Sequence, residues 1–427
     1  MNSSEVMISL DIGTSNIKVI IGEMSDESFN VIGVGNAKSE GIKKGSIVDI
    51  DETVRSIKKA VEQAERMVGV QINSVIVGIT GNHVQLQPCH GVVAVSSEDR
   101  EIRDEDITRV IDAAQVMSIP PEREIIDVIP REFVVDGLGE INDPRGMIGV
   151  RLEMEGILIT GSKTILHNVL RCVERAGLDV ADICLQPLAA GTVSLNKDER
   201  NLGVALVDMG AGSTTLTVFD QGTIQFTKVL PIGGDFVTKD ISIGLRTTTE
   251  DAERVKVKHG HAFIDHASDE ESFEVARIGS SNEQQFSQYE LAHIIEPRME
   301  EIFGLVMEEL HRNGYNELPG GFVLTGGVVA MPGVLELARE VLDQNVRISM
   351  PDYIGVREAQ YTTGVGLIQF TFKNVKIQGK EVAASISEEH HVEEQPAKKR
   401  RNSEQRVEKD KPGVKNKMKE WFGTFFE

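Results

Sequence analysis

Cysteine is scarce: Cys89, Cys172 and Cys184 are the only three in 427 residues. Three are too few for a disulfide scaffold and their spacing suits no metal site, which fits a reducing cytoplasm. Long apolar runs are missing as well: nowhere do about 18 consecutive apolar residues occur, so no membrane-spanning helix is expected. Residues 1–6 lack a basic stretch followed by an apolar one, so no secretory leader is expected either. Basic residues are outnumbered, 45 Lys and Arg against 67 Asp and Glu, for a net charge of −22. That balance argues against a protein that grips nucleic acid with its whole body. What remains is ordinary soluble composition, 40% hydrophobic and 26% charged, in a chain long enough for about three domains or one large multi-part fold.

The acidic excess belongs to the body. From residue 373 to the end there are 13 Lys and Arg against 10 Asp and Glu, and residues 398–419 hold ten basic against three acidic. Residues 373–412 read as a disordered linker, because from about 378 onward large apolar residues are few and no helical or strand period is present. Apolar residues then return. Placed on a helix over residues 413–427, Val414, Met418, Trp421, Phe422 and Phe425 form one stripe, with Lys415, Lys417 and Lys419 mainly opposite. Aromatics on one face and lysines on the other suit an anionic phospholipid membrane, and the basic cluster 398–401 adds attraction. Docking of this helix on its own body, or on a partner protein, is the alternative.

The body alternates strand-like and helix-like stretches, which predicts α/β architecture. Strands are expected over 6–10, 17–22, 75–79, 203–208 and 321–324. Helices are expected over 53–68, with Val54, Ile57, Ala60, Val61 and Ala64 on one face, and over 164–176 and 289–313. A weak repeat links the two ends of this pattern. Leu10-Asp11-Ile12-Gly13-Thr14-Ser15 returns as Val207-Asp208-Met209-Gly210-Ala211-Gly212-Ser213-Thr214, 197 residues later. Two similarly folded halves facing each other would explain it.

Each copy is a turn that could hold phosphate. In the first, backbone N–H groups and the side chains of Thr14, Ser15 and Asn16 can converge on phosphate oxygens. Gly13 allows close approach and Lys18 supplies charge. Asp11 could hold the hydration shell of a Mg²⁺ ion. The second turn offers Asp208, Gly210, Gly212, Ser213 and Thr214 in the same grammar. One such turn is an ordinary hairpin with a polar tip; two related ones favour a clamp on a phosphate chain. A third piece, residues 322–325 running into Gly326-Gly327 and then Met331-Pro332-Gly333, leaves room for a flat ring or ribose at a strand end. Gly156 to Thr164 mimics a phosphate-binding loop, but Ser162 displaces its lysine and its middle is an apolar strand. His259, His261, His266 and the His390-His391 pair lack zinc-like partners and read as solvated.

Taken in order, these motifs resemble the actin-like ATPase superfamily of actin, Hsp70 and sugar kinases, and within it the FtsA family of bacterial cell division proteins. The resemblance spans residues 6–372 and the tail tip. It implies two duplicated halves around a nucleotide cleft, with ATP and Mg²⁺ as ligands. Residues 185–191 resemble the superfamily's connecting helix, which implies that Gln186 orients an attacking water, with Asp208, if hydrolysis occurs. Asp11 and Asp208 would hold Mg²⁺ through water. Residues 249–256 resemble the helix whose acidic residue and lysine, here Glu253 and Lys256, meet the ribose and base. About 80 residues, 83–162, interrupt the first half where this family carries subdomain 1C in place of actin's 1B. The implied partition is 1A at 6–82 with 163–200 and 355–372, 2A at 201–229 and 289–354, and 2B at 230–288. The run Ile294-Ile295-Glu296-Pro297-Arg298 also looks like a family signature. By resemblance the protein is at most a weak ATPase. It would polymerise with itself at the cytoplasmic face of the cell membrane at the septum and bind the C-terminal peptide of the tubulin-like polymer FtsZ on 2B, with Arg298 as anchor. Later divisome proteins would join through 1C. A sugar or acetate kinase of the same fold, or a pilus-assembly actin-like protein, is the alternative.

Overall fold

Alternation of apolar residues near the N-terminus builds a hairpin: β1 (Glu5–Ile12) and β2 (Asn16–Met24) pair antiparallel from Glu5↔Met24 to Ile12↔Ile17. The computed structural model describes residues 5–25, 28–279, 283–378 and 386–387. β3 (Phe29–Lys38) pairs with β2. Helix α1 (Ile50–Val68) starts where Asp49 accepts the Glu52 N–H and stops at Gly69, which adopts φ +76°. Its predicted apolar face is buried. The wholly buried strand β4 (Ser74–Ile79) then lies parallel to β1.

An inserted layer follows: β5 (Gln85–Ala94), α2 (Asp104–Ala114), β6 (Arg123–Val135), β7 (Leu138–Ile141) and β8 (Arg151–Ser162). Its sheet runs β7-β6-β8-β5 over a separate core that includes Ile107, Val110, Phe133 and Leu152. Gly156 to Ser162 lie in the extended strand β8, so no phosphate loop forms there. The chain returns through α3 (Lys163–Ala176), β9 (Asp179–Leu185), α4 (Gln186–Ser194) and α5 (Lys197–Leu202).

The second half repeats the plan. It contains β10 (Val204–Met209), β11 (Thr214–Asp220), β12 (Thr223–Leu230), α6 (Gly234–Leu245) and α7 (Thr249–His259). A hairpin, β13 (Ser272–Ala276) with β14 (Glu283–Ser287), precedes α8 (Gln288–Arg312), β15 (Phe322–Thr325), α9 (Val334–Leu342) and β16 (Val346–Ile348). The first sheet is ordered β3-β2-β1-β4-β9 and the second β12-β11-β10-β15-β16, so each half places three antiparallel strands beside two parallel ones.

The last helix, α10 (Thr362–Ile377), continues past the predicted linker start at residue 373. Polar composition concealed this. Asn374 and Gln378 are buried because their side-chain amides donate to Asp127 of the insert, at 3.1 and 3.3 Å. Residues 386–387 pair antiparallel with 71–72. The rest of the predicted linker and the tip, with Val414, Met418, Trp421, Phe422 and Phe425, lie outside the described residues. Among the described residues no helix is long and apolar enough to cross a membrane.

Candidate functional site

The two repeated turns have the same hydrogen bond. Gly13 N–H donates to Asn16 O at 3.1 Å, and Gly210 N–H donates to Ser213 O at 2.9 Å. They also touch: a Cβ on Gly212 would lie 2.6 Å from Thr14 Cγ2, so only glycine lets one turn reach the other. Helix α6 begins behind the second turn, with Gly234 N–H on Gly210 O (3.0 Å) and Asp235 N–H on Ala211 O (2.8 Å). The third turn closes from the side. Gly326 adopts φ +93°, and a Cβ there would lie 2.4 Å from Asp208 Oδ1.

Between these turns is a cleft of about 520 Å³. Asp11, Gly13, Thr14, Ser15, Asn16 and Lys18 line one side, and Asp208, Gly210, Gly212 and Ser213 the other, with Gln186, Glu253, Lys256, Gly326 and Gly327 completing it. Thr214 does not line it. Strand alternation turns its buried side chain away, where the hydroxyl donates to Ile232 O at 2.9 Å, and Thr215 faces the cleft instead.

Two carboxylates converge on this space. Asp11 accepts from Gln186 Nε2 at 2.9 Å and meets Lys18 Nζ at 3.4 Å. Asp208 is half-buried and accepts from Thr363 Oγ1 at 3.2 Å. Burial first, and the Asp11 charge second, push the Asp208 carboxyl up to about 6. Two acidic groups facing one lysine suit a hydrated divalent cation, whose charge would relieve that repulsion while water completes its shell. At the other end, Lys256 Nζ donates to Thr238 Oγ1 (2.7 Å), Gly234 O (3.2 Å) and Glu253 Oε2 (2.6 Å), with Val328 and Met331 nearby as apolar wall.

Sequence reasoning missed several lining groups. Thr363 comes from α10, 155 residues beyond the aspartate it contacts, and carries no motif. His83, at the root of the insert, lines the cleft and accepts the Ser162 N–H on Nδ1 at 3.2 Å. Burial, with Arg123 nearby, lowers its pKa and keeps it neutral, although the Thr80 carbonyl opposes the shift. Gly78 had a signal, a glycine inside a buried strand: a Cβ there would lie 2.8 Å from Gln186 Cγ.

One expectation is corrected. His259 is not solvated: the β13–β14 hairpin folds against α7, so the ring stacks on Phe273 at 4.6 Å and Nδ1 meets Glu271 at 2.9 Å. Arg298, the expected anchor for the FtsZ peptide, is engaged within the protein. Its Nε and Nη2 donate to Asp240 at 2.5 and 3.1 Å, and Nη1 pairs with Glu301.

Residues 205–366 match the family described as "Cell division protein FtsA", and residues 81–160 match the "SHS2 domain inserted in FTSA", the span of the inserted layer. FtsA of Bacillus subtilis (strain 168) is 62% identical over 389 residues, covering 91% of this chain and 88% of that protein. FtsA of Enterococcus hirae is 45% identical over 371 residues, covering 87% and 84%. FtsA of Escherichia coli K12 is 35% identical over 382 residues, covering 86% and 90%. Among solved structures, a PilM–PilN type IV pilus biogenesis complex aligns at TM-score 0.58 with 15% identity, covering 85% of this chain and 98% of that one. MreB5 of Spiroplasma citri bound to ADP aligns at 0.53 with 13%, covering 87% and 97%. Such identities establish the actin-like fold and nothing finer. The curated relatives go further, and the chain belongs to the FtsA family of cell division proteins.

Proposed function

We propose that this protein binds Mg²⁺–ATP in the cleft and assembles with copies of itself in a nucleotide-dependent way. It then ties the FtsZ polymer to the cytoplasmic face of the cell membrane at the septum. The observation that carries the reading is the duplicated turn, with Asp11 and Asp208 facing one space from opposite halves. Backbone N–H groups of both turns, with Thr14, Ser15, Asn16 and Ser213, would hold the phosphate chain, and Lys18 would offset its charge. Asp11 and Asp208 would hold the hydrated Mg²⁺, which supplies charge neutralisation at the phosphates. Glu253 and Lys256 would meet the ribose and base beside Gly326 and Gly327. The MreB5 neighbours, solved with ADP and with AMPPNP, support an adenine nucleotide on this fold.

The cleft's carboxylates argue for a nucleotide-state switch over a sugar kinase. Asp11 and Asp208 are assigned to the cation, Glu253 is tied to Lys256, and Glu358 accepts from Gln360. Each of the four thus has a partner or an assigned role, and none is a carboxylate kept for deprotonating an acceptor hydroxyl. Gln186, with Asp208, would place a water if slow hydrolysis occurs. The amphipathic stripe Val414, Met418, Trp421, Phe422 and Phe425 would seat the assembled protein on anionic lipid. The FtsZ peptide would dock on the second-half subdomain of residues 230–288 and the start of α8, with its carboxylates exchanging for Asp240 at Arg298. The insert would receive later divisome proteins.

Co-sedimentation with vesicles containing anionic phospholipid tests this, comparing the full chain with one ending at Pro412, with and without Mg²⁺–ATP. Sedimentation is expected for the full chain, enhanced by Mg²⁺–ATP, and lost on truncation. Binding that ignores both nucleotide and truncation would remove the membrane-switch reading.

A further inference from the structure

We propose that residues 41–47 form a lid over the phosphate end of the cleft, latched to the opposite half by Lys44 on Phe236; this rests on the nucleotide reading above. Between β3 and α1 the chain makes a short hairpin, pairing Ile42 with Ile47 and Lys43 with Ser46. Its two-residue turn is Lys44-Gly45, both with positive φ (49° and 74°), the conformation that suits a tight two-residue hairpin. The root is fixed: Ile42 is buried, and Gly41 O accepts from Val48 and Asp49 N–H at 2.8 and 3.1 Å.

The tip reaches three elements. Gly45 N–H donates to Thr14 Oγ1 of the first turn at 3.0 Å. A Cβ on Gly45 would lie 3.8 Å from Ser213 Oγ of the second turn. Lys44 Nζ lies 5.6 Å from the centre of the Phe236 ring on α6, across the cleft. Gly45, Ser46 and Ile47 line the cleft from this side. Strands of two residues have little stability of their own, and one exposed cation–π contact plus one neutral hydrogen bond hold the tip weakly. Such a strap opens readily in the free protein. It closes over a bound phosphate chain, so its latch governs how fast a ligand leaves and not how fast it enters.

The test is stopped-flow kinetics of a fluorescent N-methylanthraniloyl-ATP with Mg²⁺ on the full chain. Lys44→Met and Phe236→Leu are each expected to speed release about two- to fivefold, the loss of one cation–π contact. Association should stay within about twofold. Because the two side chains act through one contact, the double variant should release no faster than the faster single one. Lys44→Arg keeps the contact and should retain slow release. Lys44 is exposed, so its substitutions do not threaten the fold; Phe236 also lies 5.8 Å from Arg298, so the Lys44 pair decides. Unchanged release in Lys44→Met, or effects that multiply in the double variant, would overturn the lid while leaving nucleotide binding intact. No binding by the wild type would overturn the nucleotide reading, and the lid with it.

Discussion

Asp208 carries the largest electrostatic consequence of any single side chain in the cleft. Its carboxyl is raised from 3.8 to about 6, so between those values the folded protein holds a proton that the unfolded chain has released. More protons bound when folded means that stability falls as pH rises through this window, by about 3 kcal/mol in all. Asp208→Asn removes the term. Relative to wild type, the nucleotide-free variant should gain stability progressively from pH 4 to above pH 6, and should no longer be stabilised by Mg²⁺–ATP. Denaturant unfolding from pH 4 to 8 checks this, and a variant-to-wild-type difference that is flat with pH contradicts it. Thr214 makes the opposite case. Thr214→Val leaves the Ile232 carbonyl without its donor, so it should cost about 1–2 kcal/mol of stability while leaving nucleotide affinity unchanged by calorimetry. These residues also mark what sequence could reveal. Asp11, Gly13, Asp208 and Gly210 were legible because the turn's chemistry is local and occurs twice. Thr214 misled because the turn ends one residue before strand alternation takes over. Thr363 was invisible because its role exists only once α10 crosses the cleft.

Helices α4 and α10 decide whether the cleft's two sides stay in register. A Cβ on Gly366 would lie 2.0 Å from Ala189 O, so the helices meet backbone to backbone. Gln186 begins α4 and Thr363 lies one turn before Gly366, so prising them apart displaces a partner of each aspartate. Gly366→Ala should therefore lower the melting temperature by about 5 °C or more and weaken Mg²⁺–ATP binding together. Gly304→Ala is the counterpart: Gly304 is an exposed α8 glycine with no atom within 4 Å of its Cβ position, and alanine there should stabilise by about 0.5–1 kcal/mol with binding unchanged. Equal responses from the two would refute the backbone-contact argument. Element positions were largely readable, since the hydrophobic periods of α1, α3 and α8 and the apolar runs of β4, β10 and β15 are strong local signals. The end of α10 was not, because Asn374 and Gln378 are polar residues buried by an aspartate some 250 positions earlier in the chain.

At the scale of the whole molecule, duplication was legible in a single repeated motif, and the inserted layer in the length between its flanks. Charge adds a constraint that neither shows. A protein of net charge −22 is repelled by an anionic surface, and residues 398–419, with ten basic against three acidic, oppose that. The proposed foot brings four large apolar side chains and a valine, worth roughly 4–7 kcal/mol when half-buried, before the cost of ordering them. One foot therefore holds weakly, and a row of linked feet holds through high effective concentration without any new contact. At fixed vesicle concentration with Mg²⁺–ATP, the bound fraction should rise more steeply with protein concentration than single-site binding allows, and should return to single-site form when nucleotide is withdrawn. Trp421→Glu should remove binding in both conditions, because a charge at the centre of the stripe defeats every foot in the row. A single-site isotherm with nucleotide present would break the link between assembly and attachment, and a Trp421→Glu protein that still pellets fully would move the attachment site elsewhere.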